Sequence, residues 1–144
     1  MRKAITGINR LILSGKIRGT PTFQSTKNSK TSACSFSVTS EREGDRKVVS
    51  CTVKVNAYGE NLVPLVERYS DKGVYVIVEG ELMNREVKGL SENSARPVIF
   101  TEIRAWNLIF ITAEGVRGSL NEDEMDDELR GLVVEAASVT SAVD

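Results

Sequence analysis

The chain has 144 residues, 40% of them hydrophobic and 27% charged, with a formal net charge of −1, enough for one ordinary domain core and a short appendage. It contains no histidine, and its two cysteines, Cys34 and Cys51, lack CxxC spacing, so zinc sites and histidine-based acid–base or triad chemistry lose their usual ligands. No stretch has the uninterrupted apolar length of a membrane span, and Met1 to Gly7 lacks the apolar core of a secretion signal, so the expected location is the cytoplasm.

Residues 1–8 read as an N-terminal arm. Asn9 to Gly19 opens the fold as a strand, with Leu11, Leu13 and Ile17 on one face, Arg10, Ser14, Lys16 and Arg18 on the other, and a bend at Gly15. Thr20 to Thr31 reads as a polar loop whose Phe23 either stacks on a ligand or folds back on the core. Ala33 to Thr39 is a second strand with Cys34, Phe36 and Val38 inward, and Glu41 to Lys47 a charged hairpin turn.

From Val48 the chain alternates strictly. Val49, Cys51, Val53, Val55 and Ala57 face inward, while Ser50, Thr52, Lys54, Asn56 and Tyr58 face out. Both cysteines are therefore expected in the interior, reduced and acting as small hydrophobes. Leu62, Leu65, Val66 and Tyr69 then fall at helical spacing, with Pro64 in the first turn and Lys72-Gly73 as the closing signal. Val74 to Leu82 is a β-branched run broken at Gly80, which suits a sharply bent strand.

Asn84 to Pro97 reads as a polar connection carrying Arg85, Lys88 and Arg96, and Val98 to Ile111 as the last strand, with Trp106 expected in a core or a subunit contact. From Ala113 the strand signal stops, and residues 113–144 read as an acidic, flexible tail with at most a short helix through Leu132 to Ala137. Residues 1–118 hold 18 Lys and Arg against 12 Asp and Glu, whereas residues 119–144 hold one Arg against eight acids. A basic body carrying an acidic end points to a polyanionic partner.

Strand, strand, strand, helix, strand, strand is the order of an OB-fold, a mainly β, five-stranded Greek-key barrel over residues 9–112 with its one helix between the third and fourth strands. Four blocks then resemble the bacterial and phage single-stranded-DNA-binding (SSB) family. They are Asn9-Arg10-Leu11-Ile12-Leu13-Ser14-Gly15-Lys16-Ile17, Tyr58-Gly59, Tyr69-Ser70-Asp71-Lys72-Gly73, and Val76-Ile77-Val78-Glu79-Gly80-Glu81-Leu82 with Arg85 beyond it.

The resemblance implies sequence-tolerant binding and protection of single-stranded DNA in replication, recombination and repair by a homo-oligomer, a dimer or tetramer. By position, Tyr58 corresponds to a base-stacking aromatic, and Arg10, Lys54, Lys72 and Arg85 to basic residues of the family. The outward face and its flanking segments add Asn56, Lys16, Arg18 and Lys88 to the candidate DNA contacts. No catalytic residue, metal or cofactor is expected.

Thr52 and Val87 stand where well-studied members carry tryptophans. The acidic run at 122–128 is followed by Ser141-Ala142-Val143-Asp144 instead of an apolar tip. The missing tip counts against recruitment of replication or recombination proteins through the tail by the family's route, while masking of the barrel by the acidic run stays an expectation. The alternative is an OB-fold module that binds protein in a primosome-type complex and nucleic acid only weakly.

Overall fold

The computed structural model describes residues 6–25, 32–71, 73–88 and 96–141. Strands β1 (Leu11–Ser25), β2 (Ser32–Glu43) and β3 (Val48–Tyr58) form an antiparallel meander, followed by helix α1 (Val63–Tyr69) and by the antiparallel pair β4 (Tyr75–Val87) and β5 (Val98–Thr112). A short β6 (Gly115–Gly118), a 3-10 turn at Glu122–Glu124 and helix α2 (Asp127–Ser141) follow. The sheet order is β3-β2-β1-β4-β5-β6, and a parallel pairing of β3 with β5, Val55 opposite Ile103, closes the first five strands into a barrel. This is the OB-fold expected from the element order.

Inward positions of every barrel strand fill one core, in which Phe36, Val38, Val55, Ile103, Leu108 and Phe110 are buried. Leu62, Val63 and Val66 of the α1 segment plug the end of the barrel where β3 stops, and Tyr69 packs its ring 6.1 Å from that of Phe110. Two glycines allow the strands to wrap this tightly. A Cβ at Gly15 would run into the carbonyl oxygen of Thr39, and one at Gly80 into that of Arg104. Gly80 also marks the register shift between β4 and β5, the bend foreseen at that position.

Several boundaries differ from the expectation. Thr20 to Ser25 continue β1 instead of looping, because their β-branched and hydroxyl side chains extend readily and their backbone finds a ladder on Ser32 to Ser35. Pro21 falls in the register shift between Arg18 and Thr22, where no ladder donor is needed. The hairpin after β2 tightens to Gly44–Lys47, closed by Gly44 N–H donating to the Lys47 carbonyl at 2.9 Å. β4 runs on to Val87, so Arg85 lies within a strand and not beyond it.

Cys34 is buried as expected, and burial, with the charge of Glu67 adding to it, pushes its thiol up to about 11. Cys51 is exposed, contrary to expectation: its alternation is right, but the first half of β3 projects past the barrel end, where no core lies opposite it. Trp106 is exposed, at 42%, and so lies outside the core, because it falls in the register shift opposite Glu79 and Gly80; an exposed ring is compatible with the other expected setting, a subunit contact.

The chain beyond Thr112, expected to be a flexible tail, folds back on the barrel through residue 141. Ile77, Ile109 and Ile111 on the outside of β4 and β5 form a second buried cluster with Met125, Leu129 and Val133, with Ile12 and Tyr75 packed around it. The three tail anchors recur every four residues, one face of α2 and the turn leading into it. Asp126 caps α2, its Oδ1 accepting from the Leu129 N–H at 2.8 Å. Arg10 clamps the junction, donating through Nε to Glu79 at 2.9 Å and through its terminal nitrogen to Asp126 at 2.5 Å.

Candidate nucleic-acid interface

Strand pairing arranges the outward side chains of the meander in rows. Lys16, Thr39 and Thr52 form one row, then Arg18, Ser37 and Lys54, then Thr22, Ser35 and Asn56, then Gln24, Ala33 and Tyr58. The parallel pairing sets Arg104 of β5 opposite Asn56 and carries the face onward. There Arg104 opposes Glu81, Glu102 opposes Met83, and Phe100 opposes Arg85. The result is a continuous surface across all five barrel strands, with a depression of about 210 Å³ that reaches from Thr22 and Gln24 of β1 across β2 and β3 to the β4–β5 arm, where Lys54, Asn56, Tyr58, Met83, Arg85 and Glu102 line it.

Two aromatic rings on this surface are held by arginines. The Arg104 guanidinium lies 5.4 Å from the Tyr58 ring centroid, and that of Arg85 lies 5.5 Å from that of Phe100. Such contacts fix ring orientation while leaving a face open, and Tyr58 and Phe100 remain 42% and 41% exposed. Trp106 follows Arg104 on the outward side of β5 and adds a third exposed ring.

At the floor lies a carboxylate. Glu102 is only 4% exposed; its Oε1 accepts from Asn56 Nδ2 at 2.8 Å and its Oε2 from Arg85 Nε at 3.1 Å. Burial opposes its charge, yet the Asn56 hydrogen bond, the nearby Lys54 ammonium and Arg85 outweigh that and hold its pKa below the usual carboxylate value.

The structure thus brings together Lys16, Arg18, Lys54, Asn56, Tyr58 and Arg85 on one face, Lys16 at its edge, where it also borders the cleft under α2. Lys88 is exposed just past the end of β4. Lys72 lies outside the described residues. Arg10 is elsewhere, engaged by Glu79 and Asp126 beside α2. Phe23 pairs with Cys34, whose side chain points into the core, and so lies on the opposite face to the rows.

Phe100, Glu102 and Arg104 were not among the DNA contacts expected from the sequence, and Trp106 was expected in a core or a subunit contact instead. Their alternation marks one face of the last strand, and two charges in that set were the available signal that it points outward. The acidic stretch does not cover this surface. Asp126 and Glu128 meet Arg10 near the start of β1, and α2 lies over Ile77, Ile109 and Ile111. Among the described residues no group of three or more His, Cys, Asp and Glu side chains is placed to hold a metal ion, and no helix is long and apolar enough to cross a membrane.

An OB barrel with cations and exposed rings interleaved on one outer face defines a binder of flexible polyanions that also offer stacking surfaces, a description that fits single-stranded nucleic acid. The family model that matches the sequence, over residues 8–110, is that of the single-strand binding protein family, and the chain belongs to this family. Among solved structures, one titled "Plasmodium falciparum SSB complex with ssDNA" is similar at a TM-score of 0.66 and 24% identity, covering 76% of this chain and 100% of that one, a likeness that bears on the fold. No curated protein sequence matches this chain.

Proposed function

We propose that this protein binds single-stranded DNA without sequence preference and protects it during replication, recombination and repair, acting as a homo-oligomer in the cytoplasm. The observation that carries the reading is the set of rows across β1, β2 and β3, where Lys16, Arg18 and Lys54 line a path beside Tyr58. Cations along such a path exchange condensed counterions for phosphates, and each stacked base contributes on the order of 1–3 kcal/mol whatever its identity. The residues on this face are binders and orienters; no nucleophile and base are paired on it.

Thr52 shapes how this chain binds. Its hydroxyl shares a 2.9 Å hydrogen bond with that of Thr39, so the middle of the meander offers a polar patch where a ring would stack. Stacking is then confined to the β3–β5 side, where Tyr58, Phe100 and Trp106 lie, and phosphate contacts to the β1–β3 side. Recruitment of replication or recombination proteins would fall to the acidic segment and α2.

The test is anisotropy of labelled oligo-dT against a duplex of equal length over a salt series, with Tyr58→Ala alongside. The reading expects strand-selective binding that weakens about 5- to 150-fold in Tyr58→Ala, the range of one lost stack. Absence of strand binding at low salt would overturn it and move attention to a protein partner for the same face.

A further inference from the structure

A buried anion in the floor of a polyanion site needs a physical reason. Glu102 is 4% exposed, and both of its oxygens are engaged by residues that otherwise count as DNA contacts, Asn56 at 2.8 Å and Arg85 at 3.1 Å. Turning Arg85 away to a phosphate would leave Glu102 buried with one partner fewer, and an under-compensated buried charge is among the costlier defects in a protein. Arg85 also lies against the Phe100 ring, and reorientation would break that cation–ring interaction as well.

We propose, on the basis of the strand-binding reading above, that Glu102 is a positioning residue that withholds Arg85 and Asn56 from the phosphates and keeps the DNA backbone off the groove floor. The Glu102–Arg85 pair is neutral as a unit and gives little counterion release. Its carboxylate also holds Arg85 by Nε at 3.1 Å, so a phosphate gains little by approaching β4 and β5 there. Phosphates are thereby confined to the Lys16, Arg18 and Lys54 rows, and the bases turn toward Tyr58 and Phe100. The pair acts as a selectivity wall, favouring strands that present bases to the floor.

Four proteins test this by oligo-dT anisotropy over a salt series: wild type, Glu102→Gln, Arg85→Ala and the double variant. Glutamine keeps the shape and removes the charge. Glu102→Gln is expected to bind on the order of tenfold tighter at low salt, the size of one charge-assisted contact, with a log K against log salt slope steeper by about 0.7. Arg85→Ala alone is expected to leave the slope unchanged, and the double variant to lose the gain.

A slope that falls by about 0.7 in Arg85→Ala would show that Arg85 already contacts phosphate in the wild type and would overturn the proposal, independently of how Glu102→Gln folds. Unchanged or weaker binding by a Glu102→Gln protein with wild-type melting temperature would also overturn it. In either case wild-type strand binding would stand. Failure of the wild type itself to bind would remove the underlying reading, and the inference with it.

Discussion

Leu129→Ala separates the α2 segment from the barrel it covers. Leu129 is 1% exposed and is the middle one of three anchors, with Met125 and Val133, that the tail inserts against Ile77, Ile109 and Ile111. Burial of an apolar side chain of this size contributes roughly 1.5–3 kcal/mol, and truncating a buried leucine to alanine costs about 2–5 kcal/mol once the cavity is included. Against the gross gain of three such anchors stands the ordering of a helix that would be marginal alone. The loss of one anchor therefore rivals the whole net docking energy. The expected outcome is undocking of α2 with the barrel intact. Amide hydrogen exchange should show protection lost across 127–141 and retained in β1 to β5, while Val134→Ala, at a position 61% exposed, leaves both unchanged. Retained protection of α2 in Leu129→Ala, or loss of barrel protection along with it, would refute the reasoning.

Further outcomes follow from individual contacts. Arg10→Ala should loosen α2 in the same exchange experiment yet leave oligo-dT affinity within twofold or so, because its partners are Glu79 and Asp126 and not the DNA face. Asp126 has its pKa lowered from 3.8 by the Leu129 N–H and then by Arg10, so its stabilisation of the α2 junction is fully present above that value. It is lost as pH falls through the depressed value, which an exchange series in acid would register. Gly80→Ala should cost at least about 1–3 kcal/mol in chemical denaturation, since the added carbon meets the Arg104 backbone and neither strand can give way cheaply. Trp106 is the sole tryptophan, so intrinsic fluorescence should quench on oligo-dT binding if its ring joins the stack; unchanged emission during confirmed binding would place it outside the DNA path.

The barrel was readable in the sequence because its signals are local: strict alternation in β3, an apolar run broken at Gly80, and helix punctuation at Pro64 and Lys72-Gly73. Lys54, Asn56 and Tyr58 were legible for the same reason, lying on the outward phase of one strand. Glu102 and Arg104 were not, since their importance arises from the β3–β5 pairing, which no local pattern encodes. Arg10 shares a strand face with Lys16 and Arg18 by simple alternation. The wrap of β1 at Gly15, however, sends the two ends of that face to different neighbours, β4 and α2 for Arg10 and β2 for Arg18. Cys51 and Trp106 show two limits of alternation: it gives the side of a strand but neither how far the strand outruns its core, as at Cys51, nor where a register shift falls, as at Trp106. The helix in the tail was visible as sparse apolar spacing, but its docking depends on Ile77, Ile109 and Ile111, outward residues whose neighbours in sequence already fill the barrel.

The parallel pairing of Val55 with Ile103 and Asn56 with Arg104 also bears on how the protein comes into being. It joins chain segments separated by a helix, a strand and the connection after it, so closure is a non-local event with a large loop-closure entropy, the kind of step that slows folding. During synthesis the meander emerges first and can pair with itself, but its outer rows face nothing until β5 leaves the ribosome. Phe100, Glu102 and Arg104 reach the surface together with the strand that seals the barrel. A nascent or truncated chain lacking β5 would display Lys54 and Tyr58 without the wall that organises them, so ligand competence arrives in one late, cooperative step.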